Sequence, residues 1–147
     1  MSNSLYDQDF FAWANHQARL LRAGKLSEAD IDHIAEEIES MGRAEKRELV
    51  SRLKVLLMHL LKWRFQPSGH STSWRLTIEE QRREVVDVLT DNPSLRSKLP
   101  EAIGSAYGNA ILAAARETGL DRASFPAVCP WGFEEIMDPG FWPDQGG

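Results

Sequence analysis

The segment from Leu49 to Leu61 constrains this 147-residue chain most, because its side chains would be apolar on most sides of a helix. Its leucines recur at three- and four-residue steps, which is the spacing of one helical face, and further apolar residues occupy other faces. A helix that is apolar all round has to be surrounded by other elements. The sequence therefore predicts a central helix inside a bundle.

Helical periodicity continues through residues 1–120, and β-strand signals are nearly absent. In the helix that precedes Leu49, an apolar stripe lapses at Gly42, where glycine costs about 1 kcal/mol relative to alanine, so we expect a kink or short break there. Ser27 and Ser73 are the expected N-caps, and Gly119 is the expected end of the last long helix. The predicted helices span residues 6–23, 28–65, 74–90 and 101–118.

The last 27 residues have a different composition, with four of the seven prolines and five of the thirteen aromatic residues. A disordered tail would be poor in aromatic side chains. We therefore predict a strap over residues 121–147 that packs on the bundle of residues 1–120, with a short helix over 131–137. The predicted fold class is all-α, and residues 1–147 form a single-domain bundle of four to five helices.

Composition narrows the class of protein. The formal net charge of −5 argues against a globally basic nucleic-acid binder. A single cysteine excludes an intramolecular disulfide framework and fits a reducing compartment. No apolar run approaches the ~20 residues of a membrane span, and no signal peptide opens the chain. We expect a cytoplasmic protein without a membrane partner.

Charge is unevenly distributed along the chain. Residues 28–39 contain six acidic and no basic residues, whereas residues 43–83 contain ten basic and four acidic residues. Separated charges of this kind suit docking to a protein partner, which is the leading interpretation. The basic region 43–83, with Trp63, Phe65 and Trp74 available for base stacking, makes nucleic-acid binding the alternative.

A metal-binding or enzymatic bundle is the third hypothesis. On a helix, His33 lies beside Glu36 and Glu37, and His16 and His59 would complete a site on facing helices. The usual bundle element is a repeated Glu-x-x-His, whereas here the order is reversed and occurs once. His33, Glu37 and His59 are thus weak metal candidates, and we predict no metal and no cofactor.

Several polar residues interrupt the apolar faces of the predicted helices. Gln81 falls between Ile78 and Val85 on one stripe, so it should be buried and hydrogen-bonded. These residues would form either a ligand pocket or a structural network that fixes helix register. The candidate pocket comprises Glu36, Glu37, His59, Lys62, Gln81 and Arg82.

No recognised catalytic motif accompanies these candidates. The chain has no phosphate-binding glycine loop, nucleophile elbow or paired zinc-ligand motif. Cys129 has no activating base near it in sequence, which favours a packed thiol. The sequence therefore favours a non-catalytic interaction or adaptor domain, with an unidentified protein partner, and leaves an enzymatic role open.

Short motifs in a fixed order cover nearly the whole chain. They are Tyr6 with Asp9-Phe10 and Trp13; Ala35-Glu36-Glu37-Ile38 with Gly42 and Glu45-Lys46-Arg47; His59-Leu60-Leu61-Lys62-Trp63; Ser73-Trp74 with Ile78 and Gln81-Arg82; Pro93-Ser94-Leu95; and Pro126 with Cys129-Pro130 and Phe141-Trp142-Pro143. This pattern resembles a bacterial family catalogued as domain of unknown function 29. The resemblance implies an all-α domain and brings no established activity, cofactor or catalytic residue.

Overall fold

The structure is a computed structural model that describes residues 4–143. Within that range the regular secondary structure is helical and contains no β-strand, which confirms the all-α fold class. Short 3₁₀ segments connect several of the helices. The α-helices are α1 (Leu5–Gln8), α2 (Phe10–Arg22), α3 (Ile31–Phe65), α4 (Thr72–Asp91), α5 (Leu99–Thr118) and α6 (Phe133–Met137).

The chain divides into two compact units, Met1–Ala44 and Glu45–Gly147. The first contains α1, α2 and the start of α3, and the second contains the rest of α3 with the remaining helices. The division falls two residues after Gly42, within α3.

The predicted break at Gly42 is absent, because α3 is helical from Ile31 to Phe65. The roughly 1 kcal/mol cost of one glycine is small beside the hydrogen bonds of a 35-residue helix. Good helix formers follow it in Arg43 to Glu48.

Two acidic residues set the helix boundaries of the first unit. Asp9 interrupts the single helix expected over residues 6–23, because its side chain accepts a hydrogen bond from the backbone N–H of Ala12 and caps α2. Asp30 lies immediately before α3, and its backbone carbonyl accepts from the N–H of Ile34. Ser27 was therefore the wrong N-cap: it lies in a 3₁₀ turn, and α3 begins at Ile31.

The core of the second unit surrounds the second half of α3. Leu53, Leu56 and Leu60 have no exposed surface, as expected of the predicted central helix. The helices α4 and α5 contribute Ile78, Val85, Ala106 and further small apolar side chains to the same core. The start of α4 differs from prediction.

Ser71, rather than Ser73, is the N-cap of α4. Its hydroxyl accepts a hydrogen bond from the backbone N–H of Trp74. The helix therefore begins at Thr72, about half a turn before the predicted start at residue 74. Gly119 ends α5 as predicted, and its backbone is left-handed, with φ of 77°.

The segment after α5 packs its aromatic side chains on this core. Phe125 and Trp131 are buried, and Phe133, Phe141 and Trp142 are half-buried against the core cluster. The short helix α6 covers Phe133–Met137 within the predicted range 131–137. Residues 144–147 of the predicted strap lie outside the described residues.

Substitution of two glycines tests the helical assignments, because Gly42 lies inside α3 and Gly119 ends α5. A Cβ at Gly42 would meet no atom within 4 Å, and φ there is not positive. We expect Gly42→Ala to raise the free energy of unfolding by roughly 0.5–1 kcal/mol, because alanine restricts the unfolded chain without strain in the helix. Urea unfolding provides the measurement.

Gly119→Ala is the matched control. Its φ of 77° disfavours any residue with a Cβ, so we expect a loss of about 1 kcal/mol. A destabilising Gly42→Ala would show that α3 is not regular at that residue.

Candidate functional site

The residues of the predicted polar pocket lie in both units. Glu36 and Glu37 belong to the first unit; His59, Lys62, Gln81 and Arg82 belong to the second. Glu37 accepts a hydrogen bond from the Tyr6 hydroxyl, and Glu36 is exposed. The convergence of all six side chains in one pocket stays a prediction.

His59 and Lys62, both on α3, have separate partners. The Nδ1 atom of His59 donates to the carbonyl of Val55 at 2.9 Å, and burial lowers the pKa of this imidazole. Lys62 is buried, yet its Nζ lies 2.7 Å from Oε1 of Glu117 and 4.6 Å from the Trp74 ring centre. Lys62 is therefore a compensated cation within the fold.

Arg82 joins α4 to the C-terminal segment. Its Nε and Nη2 atoms donate to the carbonyls of Ile136 and Phe141, each at 2.8 Å. The guanidinium also lies 5.3 Å from the Trp142 ring centre, and burial lowers its pKa. Backbone carbonyls of the strap are thus satisfied by a buried cation.

Arg82→Met tests this connection. Two carbonyls lose their donors, so we expect the free energy of unfolding to fall on the order of 2–4 kcal/mol and amide exchange over residues 136–143 to accelerate. Arg83→Met, at the exposed neighbouring position, is the control. Equal effects of the two substitutions would contradict the structural role assigned to Arg82.

Gln81 is buried as predicted, but only part of its side chain is hydrogen-bonded. Nε2 lies 3.5 Å from Oε1 of Glu80, and no hydrogen-bond partner of Oε1 is found within residues 4–143. A cleft of about 550 Å³ adjoins Arg82 on α4 and contains both acidic and basic side chains. Because its lining carries both charges, the cleft does not indicate whether a ligand would be anionic or cationic.

Several basic side chains of region 43–83 make internal contacts, whereas Arg43, Arg47, Lys54 and Arg83 are exposed. Lys46 pairs with Glu101, Arg52 with Glu48, and Lys62 with Glu117. Among the proposed stacking residues, Trp63 is buried and its ring centre lies 4.7 Å from that of Trp142. These contacts do not favour the nucleic-acid alternative.

The metal hypothesis also gains no support. Within residues 4–143, no three His, Cys, Asp or Glu side chains are grouped as a metal ion would require. His33 is hydrogen-bonded to Asp30 instead.

Burial raises the pKa of Cys129, which keeps this thiol protonated and weakly nucleophilic.

Asp30 is the centre of a polar network in the first unit. Its carboxylate accepts from Nε1 of Trp13 at 3.1 Å and from Nδ1 of His33 at 2.7 Å. Its backbone N–H donates to Oε1 of Gln17 at 2.7 Å. Asp30, which immediately precedes α3, is therefore hydrogen-bonded to two side chains of α2.

The Tyr6 ring extends this network. It stacks on the His33 ring with centres 3.9 Å apart, and its hydroxyl donates to Glu37. That hydrogen bond is the largest of several effects that raise the pKa of Tyr6 to about 12, so the phenol stays protonated at neutral pH. Glu37 is thereby held as an oriented carboxylate.

An apolar groove lies between α2 and the first turns of α3, with a volume of about 400 Å³. Glu37 is the ionisable residue among the ten described residues that line it. The lining comprises Phe10, Trp13, Ala14, Gln17, Ala18 and Leu21 of α2, and Ile34, Glu37, Ile38 and Met41 of α3.

Much of this lining is exposed. Ile38 is 59% and Met41 63% exposed, and Phe10 and Leu21 are also exposed. Of the thirteen large exposed apolar residues in the described chain, eight lie in the first unit. Exposed apolar side chains of the described chain are therefore concentrated in the first unit, and four of them line the groove.

The sequence did not predict the groove, because the periodicity of the stripe through Ile34, Ile38 and Met41 does not show whether another part of the chain covers it. One signal was present in the adjacent pair Phe10-Phe11. Consecutive helical residues point about 100° apart, so the narrow buried stripe of a short helix does not cover both rings. Phe11 is 79% exposed.

The architecture defines an all-α domain with one core-bearing unit and one unit that carries an exposed apolar groove. The family model described as "Domain of unknown function DUF29" matches residues 5–142. The chain belongs to this family, which confirms the resemblance seen in its motifs. No curated protein and no solved structure matches the chain. Within residues 4–143, every helix is too short or too polar to cross a membrane.

The pKa of His33 tests the network around Asp30. The hydrogen bond to Asp30 raises this pKa, and the Asp30, Glu36 and Asp7 charges act in the same direction. We expect the folded-state value to exceed the ordinary value of about 6.5. NMR titration of the imidazole, assigned with His33→Gln, measures it.

The raised pKa of His33 determines how its contribution to stability depends on pH. A raised folded-state pKa means that the contribution to stability is fully present below the unfolded pKa and is lost as pH rises through the folded value. Asp30→Asn keeps hydrogen-bond acceptors but removes the charge, so it should lower the pKa of His33. An unchanged pKa in that variant would show that Asp30 is not the cause.

Proposed function

We propose that this chain is a non-catalytic protein-interaction domain, and that the groove between α2 and α3 is its binding surface. The observation that carries the proposal is the exposure of apolar side chains along both walls of one groove. Leaving such surface in water is unfavourable by roughly 25 cal/mol per Å² of apolar area, and a bound partner removes that cost.

The network around Asp30 supports the proposal because it holds the groove without filling it. Trp13 and Gln17 are buried, line the groove and are hydrogen-bonded to Asp30. Fixed walls lower the conformational entropy lost on binding. A cytoplasmic location is part of the proposal, supported by the single cysteine of the chain.

Site-specific photo-crosslinking tests the proposal in cells of the native host. A photoreactive residue replaces Ile38 in the groove or Leu76 on α4, since these side chains have nearly equal exposure of 59% and 57%. We expect a discrete product with another protein from position 38 and not from position 76. Mass spectrometry identifies the partner, and purification through the partner confirms the pair.

Two results would overturn the assignment of the groove. One is the same set of products from both positions, which would indicate non-specific collision. The other is a partner that crosslinks only from position 76.

A further inference from the structure

We infer that the occupant of the groove is a basic amphipathic helix of a partner protein, about three turns long. This inference rests on the proposed function, because it assigns the chemistry of a partner to the same groove. Three properties carry it: the shape of the lining, the secondary structure of its walls and the charge of the first unit.

The lining fits a helix. Ala14 and Ala18 lie one turn apart on α2, between the larger side chains of Phe10 and Leu21. Small residues flanked by large ones allow a third helix to pack closely against the first two. The lining from Phe10 to Leu21 extends about 16 Å at 1.5 Å per residue, which matches an occupant helix of about three turns.

The helical walls also argue against an occupant that binds by strand addition. In that mode an extended peptide pairs its backbone N–H and C=O groups with an exposed strand edge. Both walls are helices, whose backbone groups are already hydrogen-bonded within α2 and α3. A helical occupant satisfies its own backbone and offers apolar side chains at three- and four-residue steps.

The negative charge of the first unit indicates that the partner helix is basic. The first unit contains eight acidic and four basic residues, a net charge of −4, and residues 28–39 contain no lysine or arginine. Glu36, Glu39 and Asp32 are exposed on α3, and the oriented carboxylate of Glu37 lines the groove. A second copy would bring a like charge to this surface, whereas lysines flanking an apolar stripe would be attracted to it.

Three synthetic 14-residue peptides test the inference against the full chain. The first has leucines at helical spacing with lysines elsewhere, the second replaces each lysine by glutamate, and the third disperses the leucines of the first. We expect the lysine peptide to bind at least tenfold more tightly than either of the others in fluorescence anisotropy at 0.15 M salt. Its affinity should fall as salt increases.

Two substitutions locate the binding. Ile38→Ser should weaken the lysine peptide about tenfold, whereas Leu76→Ser, of nearly equal exposure, should leave the affinity unchanged. Glu37→Gln keeps an acceptor for Tyr6 while removing the charge, so it should reduce the salt dependence. Chemical-shift changes should concentrate on α2 and the first turns of α3.

Equal binding of the lysine and glutamate peptides, or binding unaffected by Ile38→Ser, would overturn the inference. So would a concentration-dependent dimer in sedimentation that Ile38→Ser abolishes, because the occupant would then be a second copy. In the first two cases, a partner that still crosslinks from position 38 in cells leaves the proposed function standing and rejects only the basic helix.

Discussion

The burial of α3 from Leu56 to Trp63 is the constraint on which the second unit depends. Every side chain in that stretch is buried except that of half-buried His59, so the helix needs neighbours on all sides there, and α4, α5 and the C-terminal aromatic residues provide them. The same burial explains the polar contacts nearby. Lys62 lies on this helix, and a cation there is tolerated because Glu117 and the Trp74 ring compensate it.

The first unit is held together in another way. Trp13, Gln17 and Leu20 are its buried large side chains within the described residues, too few for a core comparable to that of the second unit. Asp30 supplies the remaining connection through hydrogen bonds to Trp13, His33 and Gln17. Directional hydrogen bonds fix two helices at a few points and leave the apolar stripe between those points uncovered. The groove is a consequence of that arrangement.

Helical periodicity predicted the all-α class, the four long helices and the central position of Leu49–Leu61, because burial of a helical face leaves a direct pattern in sequence. Capping was less predictable. Asp9, Ser27, Asp30, Ser71 and Ser73 all have side chains suited to an N-cap, and tertiary contacts such as that of Asp30 with Trp13 decide between them. Helical periodicity could not predict that Ile38 and Met41 are exposed. An apolar stripe has the same spacing whether the surface that covers it belongs to the same chain or to another molecule.

Net charge alone conceals a difference between the two charged regions. In the basic region 43–83, three of the ten basic residues are paired with Glu48, Glu101 or Glu117, and a fourth, Arg82, is buried against the strap carbonyls. The acidic stretch 28–39 contains one ion pair, Asp30 with His33, and exposes carboxylates at Glu28, Asp32, Glu36 and Glu39. Charges that are paired internally have little field left for a partner, whereas exposed like charges beside an apolar groove retain theirs. The exposed charge beside the groove is therefore acidic, although the longest charged region of the chain is basic.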